Sequence, residues 1–166
     1  MFNIVLVEPE IPQNTGNIGR LCLATDSALH LVHPLGFELN DASLKRAGMD
    51  YWKKVRRVEH ASFPQFQQSA DASRFYYFST KAGRLFWDVS YRPGDFLIFG
   101  RETKGLPEEW LKENPARAIT IPMLNPEARS LNLATAVAVV LYEALRQNVP
   151  AKSASAGKSA LVRQTA

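Results

Sequence analysis

The sequence is poor in the residues that make disulfides and metal sites, with one cysteine, Cys22, and three scattered histidines. A single cysteine excludes an internal disulfide framework, and Cys22 lies among apolar neighbours in a segment with helical character. These residues do not form a cluster with the spacing of metal ligands. We therefore expect a buried, unreactive thiol and no metal site.

A long hydrophobic run is also missing. The longest apolar stretch, LATAVAVVLY at 133–142, is about half as long as a membrane-spanning helix needs to be. The N-terminal MFNIVLVEPE has neither the basic segment nor the small-residue cleavage site of a signal peptide. Apolar residues make up 46% of the chain and charged residues 22%, which indicates a globular protein. We expect one cytoplasmic domain spanning residues 1–148.

Acidic residues are absent from 149–166, which carries three basic residues among many Ala and Ser. This composition cannot bury enough apolar surface to fold, and it predicts a disordered basic tail. Removing these three charges lowers the formal charge from +4 to +1. A second excess lies at 45–57, where Asp50 opposes six basic residues: Lys45, Arg46, Lys53, Lys54, Arg56 and Arg57. That segment predicts a polyanion-binding surface, and a solvated basic face is the alternative.

Short apolar runs predict strands at 2–7, 28–34, 74–80, 95–100 and 117–122, several of them covered on both faces. Segments with helical character separate them, at 16–25, 41–48, 63–70 and 131–147. This alternation predicts an α/β domain with a mostly parallel sheet flanked by helices. The last helix, with Ser130 as its N-cap, is apolar on nearly all sides, which predicts a homodimer packed through it. Deep burial within a monomer is the alternative.

Three segments rich in Gly, Pro or Asn follow predicted strands: IPQNTGNIGR at 11–20, FGRETKGLP at 99–107 and IPMLNPEARSLN at 121–132. The first is a poor dinucleotide fingerprint, because it lacks the first glycine and the glycines start too far beyond the strand. Its GNIG also matches the GxxG of a KH module, but that loop joins two helices. Because open α/β sheets bind ligands at the carboxyl ends of their strands, the three segments together predict one shared pocket.

The motifs NTGNIGR, FGRETKGLP and IPMLNPEARSLNLATAVAVVLYEALRQ, in this order, resemble the three signature motifs of the SPOUT superfamily of RNA methyltransferases. The closer resemblance is to its TrmL-type tRNA (cytidine/uridine-34) 2'-O-methyltransferases. It extends over 2–147 and includes EPEIPQNTGNIGRLC and KRAGMDYW. There are two departures: Arg101 stands where proline is common, and LNPEARS is one residue longer than the usual turn.

The resemblance implies a sheet whose C-terminal part is threaded into a deep trefoil knot, an exception to the rule that chains are unknotted. It implies S-adenosylmethionine (AdoMet) as the cofactor, a homodimer packed through the last helix, and the wobble nucleotide of leucine tRNAs as the substrate. The cofactor-binding residues carried over from the motifs are Phe78, Ser79, Thr80, Gly100, Glu102, Gly105, Ile121, Met123, Ser130 and Leu131.

The resemblance also assigns activation of the ribose 2'-OH to Arg20, with Asn14, Ser130 and Asn132 as its helpers and Glu102 beside the sulfonium or the hydroxyl. Because a guanidinium stays protonated, it is a poor general base. We therefore expect Arg20 to hold the adjacent phosphate and the developing alkoxide, while a phosphate oxygen or water accepts the proton. The structural alternatives are a surface salt bridge for Arg20, a helix N-cap for Asn14 and a loop-stabilising carboxylate for Glu102.

The basic segment at 45–57 then has a candidate partner, the phosphates of an anticodon stem, which Lys45, Arg46, Lys53, Lys54, Arg56 and Arg57 would bind together with Arg20. Tyr51 or Trp52 could stack on an exposed base, and a place in the core is the alternative for both. Two other functions stay open at this point: methylation of a different RNA nucleotide, and a non-catalytic RNA-binding module.

Overall fold

The apolar runs form the strands of one parallel sheet. The structure is a computed structural model and describes residues 1–38 and 51–148. Within these residues the strands pair in the order β3-β2-β1-β6-β4-β7-β5, and every pairing is parallel. The strands are β1 (Asn3–Val7), β2 (Ala28–Val32), β3 (Arg57–His60), β4 (Phe75–Phe78), β5 (Arg84–Leu85), β6 (Phe96–Phe99) and β7 (Ala118–Thr120). The α/β class and the parallel sheet are confirmed.

Helices cover both faces of this sheet. They are α1 (Pro12–Ala24), α2 (Phe63–Gln68), α3 (Glu108–Glu113) and α4 (Leu133–Asn148). Because successive strand residues point to opposite faces, each face has its own apolar cluster. Leu6 packs on the face covered by α1 and α4, with Ile18 and Val140. Val5 packs on the other face, with α3 and with Phe66 of α2. Among the described residues no helix combines the length and apolarity needed to span a bilayer.

The first helix begins earlier than the sequence predicts. It starts at Pro12, so most of IPQNTGNIGR is helical rather than a loop. Proline suits a first turn, where its missing N–H would have no partner within the helix. Gly19 is needed for packing inside α1, since a Cβ there would lie 2.5 Å from Cζ3 of Trp52. The glycines of the first motif therefore belong to a helix that packs closely on its neighbours.

Two strands and one cap were not predicted correctly. Edge strand β3 begins at Arg57, the last residue of the basic segment, and its first three residues are exposed, so it has no apolar run. Strand β5 has two residues. Helix α4 begins at Leu133 and is capped by Asn132 rather than Ser130, since the Oδ1 of Asn132 accepts from the N–H of Ala134 at 2.9 Å. The predicted helix at 41–48 and the predicted tail at 149–166 lie outside the described residues.

The strand order places β7 between two strands that are joined directly to each other. β4 and β5 are linked by residues 79–83 and both pair with β7, which comes more than thirty residues later. The link starts beside β7, where the N–H of Ser79 donates to the carbonyl oxygen of Ile119 at 2.9 Å. This insertion is consistent with the trefoil knot that the resemblance implies, and the knot itself stays a prediction.

Candidate functional site

A cavity of about 710 Å³ lies at the carboxyl ends of β4, β6 and β7. This is the edge at which parallel α/β sheets bind ligands, and the volume is in the range of small-molecule sites. All ten residues predicted to bind the cofactor line it: Phe78, Ser79, Thr80, Gly100, Glu102, Gly105, Ile121, Met123, Ser130 and Leu131. The structure thus brings the second and third motifs to one place, as the pocket prediction expects. That these residues bind a cofactor stays a prediction.

The turn after β6 is closed by its two glycines. A Cβ on Gly100 would lie 2.1 Å from the backbone carbon of Gly105, so a side chain cannot be accommodated there. Gly105 has φ +67°, a conformation that glycine adopts without strain. Its N–H donates to the carbonyl oxygen of Arg101 at 2.8 Å. These glycines let two backbone segments approach each other, which gives the cavity a compact wall.

The carboxylate of Glu102 joins this turn to the start of α1. One oxygen accepts the backbone N–H of Glu10 at 2.8 Å, and the other accepts the N–H of Ile11 at 3.2 Å. The second oxygen also accepts from the side-chain amide of Asn14 at 3.0 Å. Ile11 is the N-cap residue of α1 and has no cap of its own, so the carboxylate also complements the positive end of the helix dipole. The contacts match the loop-stabilising alternative for Glu102, which at the same time lines the cavity.

Asn14 connects all three motifs through one side chain. Its amide nitrogen donates to Glu102, and its Oδ1 accepts from Nδ2 of Asn132 at 3.0 Å. Asn132 in turn caps α4. Asn14 is the third residue of α1 and is buried, so the N-cap alternative for Asn14 is wrong. The chain Glu102, Asn14, Asn132 therefore holds the two helix ends against the cavity wall.

Arg20 is the predicted catalytic residue that does not reach this cavity. It is exposed on α1 and is not among the residues that line the cavity. Its guanidinium lies 4.7 Å from the ring centre of Tyr51, whose hydroxyl donates to the carbonyl oxygen of Gly16 at 2.7 Å. In the described part of the chain Arg20 has no ion-pair partner, which leaves the salt-bridge alternative without support. Arg20 is held by an aromatic ring instead.

The described part of the basic segment, 51–57, does not line the cavity of its own chain. Lys53 and Lys54 are exposed, but they precede β3 and lie near the amino ends of the strands. Arg56 approaches Asp26 at 3.2 Å, and the Nε of Arg57 is 3.7 Å from Glu59. Lys45 and Arg46 lie outside the described residues. Trp52 is 2% exposed and packs in the core, so its predicted stacking on a base is wrong.

Comparison with known proteins assigns the family. The SpoU rRNA Methylase family matches residues 1–142. This chain belongs to the SpoU methylase family. A tRNA (cytidine(34)-2'-O)-methyltransferase of Saccharophagus degradans is 50% identical over 153 residues, with 89% of this chain and 96% of the relative covered.

Two solved SpoU-like structures superpose closely on this chain. A putative RNA methyltransferase from Bacillus anthracis has a TM-score of 0.84 at 42% identity, covering 91% of this chain and 97% of the other. A structure described as "Structural insights into the 2-OH methylation of C/U34 on tRNA" has a TM-score of 0.82 at 47% identity, covering 89% and 95%. The predicted family is therefore confirmed.

Four cations that the motifs did not predict as ligands also line the cavity. They are Lys81, Arg101, Lys104 and Arg129. Lys81 pairs with Glu108, and this hydrogen bond and charge lower the pKa of Glu108. Arg101, the departure from the family pattern, pairs with Glu8. Their common position in loops that follow strands was the signal available in the sequence.

Helix α4 leaves part of its apolar surface uncovered. Val137, Val140, Leu141 and Ala144 are buried against the sheet, while Tyr142 is 58% exposed and Val139 36%. One chain therefore buries only part of the apolar surface of α4.

Cys22 is buried as expected, and burial raises the pKa of its thiol to about 12, so it stays protonated and unreactive. Among the described residues no three His, Cys, Asp or Glu side chains lie together as a metal site requires.

Proposed function

We propose that this protein transfers a methyl group from AdoMet to the ribose 2'-OH of nucleotide 34, a cytidine or modified uridine, of leucine tRNAs. The observation that carries the proposal is that all ten residues predicted to bind the cofactor line one cavity, beside the linked side chains of Glu102, Asn14 and Asn132. A relative that is named for this reaction and is 50% identical to this chain supports the same reaction here. A role in RNA modification favours a cytoplasmic location.

The residues of the cavity fit AdoMet. Its walls combine apolar side chains, such as Ile121 and Leu106, with backbone from the turn at Gly100 and Gly105. Apolar walls with a few fixed polar groups are typical of small-molecule sites. The carboxylate of Glu102 is the negatively charged group among the described residues that line the cavity, and the other charged groups there are cations. When bound, AdoMet would supply an electrophilic methyl group on its sulfonium.

The chain supplies positioning more than acid–base chemistry. Holding a hydroxyl in line with a methyl group converts an encounter into an effectively unimolecular step, which contributes up to roughly 7–11 kcal/mol. The hydrogen bonds that join the start of α1, the turn after β6 and α4 make the walls rigid. Ser130 lines the cavity two residues before Asn132, and in this proposal it would contact the incoming ribose.

Arg20 requires a second copy of the chain for its proposed role. It lies outside its own cavity, yet α1 and α4 pack side by side on one face of the sheet. A homodimer packed through the exposed side of α4 would bring α1 of one copy close to the cavity of the other. Arg20 would then hold the phosphate beside the target ribose and stabilise the developing alkoxide. Lys53, Lys54, Arg56 and Arg57 would extend this positive surface along the anticodon stem. Lys45 and Arg46, which lie outside the described residues, are proposed as further phosphate contacts.

The test of the reaction uses the full chain, radiolabelled AdoMet and total bacterial tRNA that lacks this modification. Alkali cleaves RNA by attack of the 2'-OH, so a 2'-O-methyl group leaves a labelled, alkali-resistant dinucleotide. Sequencing that dinucleotide in its tRNA locates the site at position 34. Label in single nucleotides would show base methylation and refute the proposal. Label in another RNA, or RNA binding without label, would favour the two functions left open by the sequence.

A subunit-mixing experiment tests the position of Arg20. Arg20→Ala is mixed with Ser130→Ala, after unfolding and refolding the two together. If Arg20 acts across the dimer, each mixed dimer contains one intact site, and about a quarter of wild-type activity returns. If Arg20 acts in its own chain, both sites of the mixed dimer are defective and activity stays at the level of the single variants.

A further inference from the structure

Lys104 and Arg129 are the cations of the cavity that have no partner among the described residues. Four cations line the cavity, against the single carboxylate of Glu102. Lys81 and Arg101 pair with carboxylates outside the cavity lining. Neither Lys104 nor Arg129 has a hydrogen bond or an ion pair within the described chain, and both are exposed. Two free positive charges therefore face the same opening from different loops.

The turn that carries Lys104 is fixed on both sides of it. Thr103 donates its N–H at 3.0 Å and its hydroxyl at 2.8 Å to Glu10, and Glu102 binds the start of α1. On the other side, Gly105 donates to Arg101 and packs against Gly100. The backbone is thus held while the ammonium group stays free. This arrangement is typical of a residue that binds a ligand outside the protein.

Arg129 lies on the opposite strand-end loop, directly before Ser130. Its loop contains a turn in which the N–H of Ala128 donates to the carbonyl oxygen of Asn125 at 3.0 Å. Asn125 also accepts the N–H of Glu127 through its side chain at 3.0 Å. Arg129 follows this turn and lines the cavity together with Ser130, the residue that we propose contacts the target ribose. A guanidinium in this position can bind a phosphate through two parallel hydrogen bonds.

The ligand that these charges fit is the RNA backbone. AdoMet carries one carboxylate, and its ammonium and sulfonium groups give it a net positive charge, so two further free cations would repel more than they attract. An RNA strand that presents one ribose to the cavity brings a phosphate on each side of that ribose. We propose that Lys104 and Arg129 bind the two phosphates that flank the target ribose and so position its 2'-OH. This inference rests on the function proposed above.

The test measures the binding of a fluorescent anticodon stem–loop to the full chain at salt concentrations between roughly 50 and 200 mM. The variants are Lys104→Ala, Arg129→Ala, the double variant and Arg129→Lys. Lys112→Ala is the matched control, because Lys112 is an exposed cation on α3 outside the cavity. AdoMet affinity is measured by calorimetry on every variant, which also shows that each one is folded.

We expect each alanine variant to lower the salt slope by about 0.7 and to weaken RNA binding by about tenfold at low salt. Arg129→Lys should keep the slope and lose part of the affinity, since lysine supplies the charge without the paired hydrogen bonds. Lys112→Ala should match the wild type, and AdoMet affinity should stay within about twofold in all variants.

Three results would overturn the inference. The first is a salt slope equal to that of the wild type in both alanine variants, while the wild-type chain methylates tRNA. It would show that Lys104 and Arg129 do not bind the RNA, and it would leave the proposed function intact. A fall in AdoMet affinity with an unchanged slope would instead assign the cations to the cofactor carboxylate. A wild-type chain that neither binds nor methylates tRNA would refute the proposed function as well.

Discussion

Replacing Glu102 tests whether its carboxylate acts mainly on the structure of the site. Glu102→Ala leaves three donors without their acceptor: the N–H groups of Glu10 and Ile11 and the side-chain amide of Asn14. Hydrogen bonds to a charged group contribute about 1.5–3 kcal/mol each when buried. Because this site is only partly buried, water can replace some of them, and we take about 1 kcal/mol for each bond. The expected loss of unfolding free energy is therefore about 3 kcal/mol.

For a chain of this size, 1 kcal/mol corresponds to about 2–4 °C in Tm, so Glu102→Ala should lower Tm by roughly 6–12 °C. Calorimetric melting of the full chain measures the shift. Glu102→Gln should lose much of the same stability. Its side chain keeps one acceptor oxygen, and its NH2 group cannot accept from the N–H donors that it then faces. Glu109→Ala, at an exposed carboxylate on α3, is the control and should change stability by less than about 0.5 kcal/mol. Loss of methylation with a Tm within about 2 °C of wild type would contradict this reasoning and assign Glu102 a direct role in the reaction.

Three further perturbations follow from the structure. Gly100→Ala places a Cβ 2.1 Å from backbone of Gly105, so we expect cofactor affinity, measured by calorimetry, to fall at least about tenfold. Burial, with a smaller contribution from His60, lowers the pKa of His30 to about 4. His30 is thus neutral in the folded protein, and the unfolding free energy, measured by urea titration, should fall by up to about 3 kcal/mol as pH drops from about 6.5 towards 4. Tyr142→Asp puts a charge on the exposed side of α4 and should shift the protein to monomers in analytical ultracentrifugation.

Each of these has a matched control in the chain. Gly83→Ala adds a Cβ with no atom within 4 Å and should bind the cofactor as the wild type does. His33→Gln changes a half-exposed histidine beside Glu59 and should keep the acid dependence that His30→Gln reduces. Thr135→Ser alters an exposed residue of α4 and should leave the dimer intact. A pH-independent unfolding free energy, or a Tyr142→Asp dimer as stable as wild type, would contradict the respective argument.

The sheet was predictable because its central strands are buried on both faces and therefore read as continuous apolar runs. Strand β3 was not, because an edge strand with exposed Arg57, Val58 and Glu59 carries no such run. The start of α1 was missed for a different reason. The N–H groups just before it, of Glu10 and Ile11, donate to Glu102, about ninety residues further along the chain, and local sequence does not record such a partner.

The candidate site was predictable where its residues sit on strand-end loops, since these loops converge at one edge of the sheet. Arg20 is the informative exception. A helix turns 100° per residue, so Arg20 points about 120° away from Asn14 around α1, and both cannot face one cavity. Assigning a helix to this segment is therefore enough to predict that Arg20 lies outside the cavity that Asn14 lines. Lys104 and Arg129 could not be singled out from the sequence, because tertiary contacts decide which cations of the cavity pair with a carboxylate, as Lys81 and Arg101 do, and which stay unpaired.

The insertion of β7 between β4 and β5 has a consequence for how the protein is made. During synthesis β4 emerges before both of its eventual neighbours, β6 and β7, so its two edges stay unpaired while many later residues are added. Such long-range pairing folds slowly and leaves exposed edges open to association with other chains. The cavity walls come from residues on both sides of this late step, Ser79 and Thr80 before it and Ile121 to Leu131 after it. The nascent chain would therefore become able to bind the cofactor only late in folding, after β7 has paired.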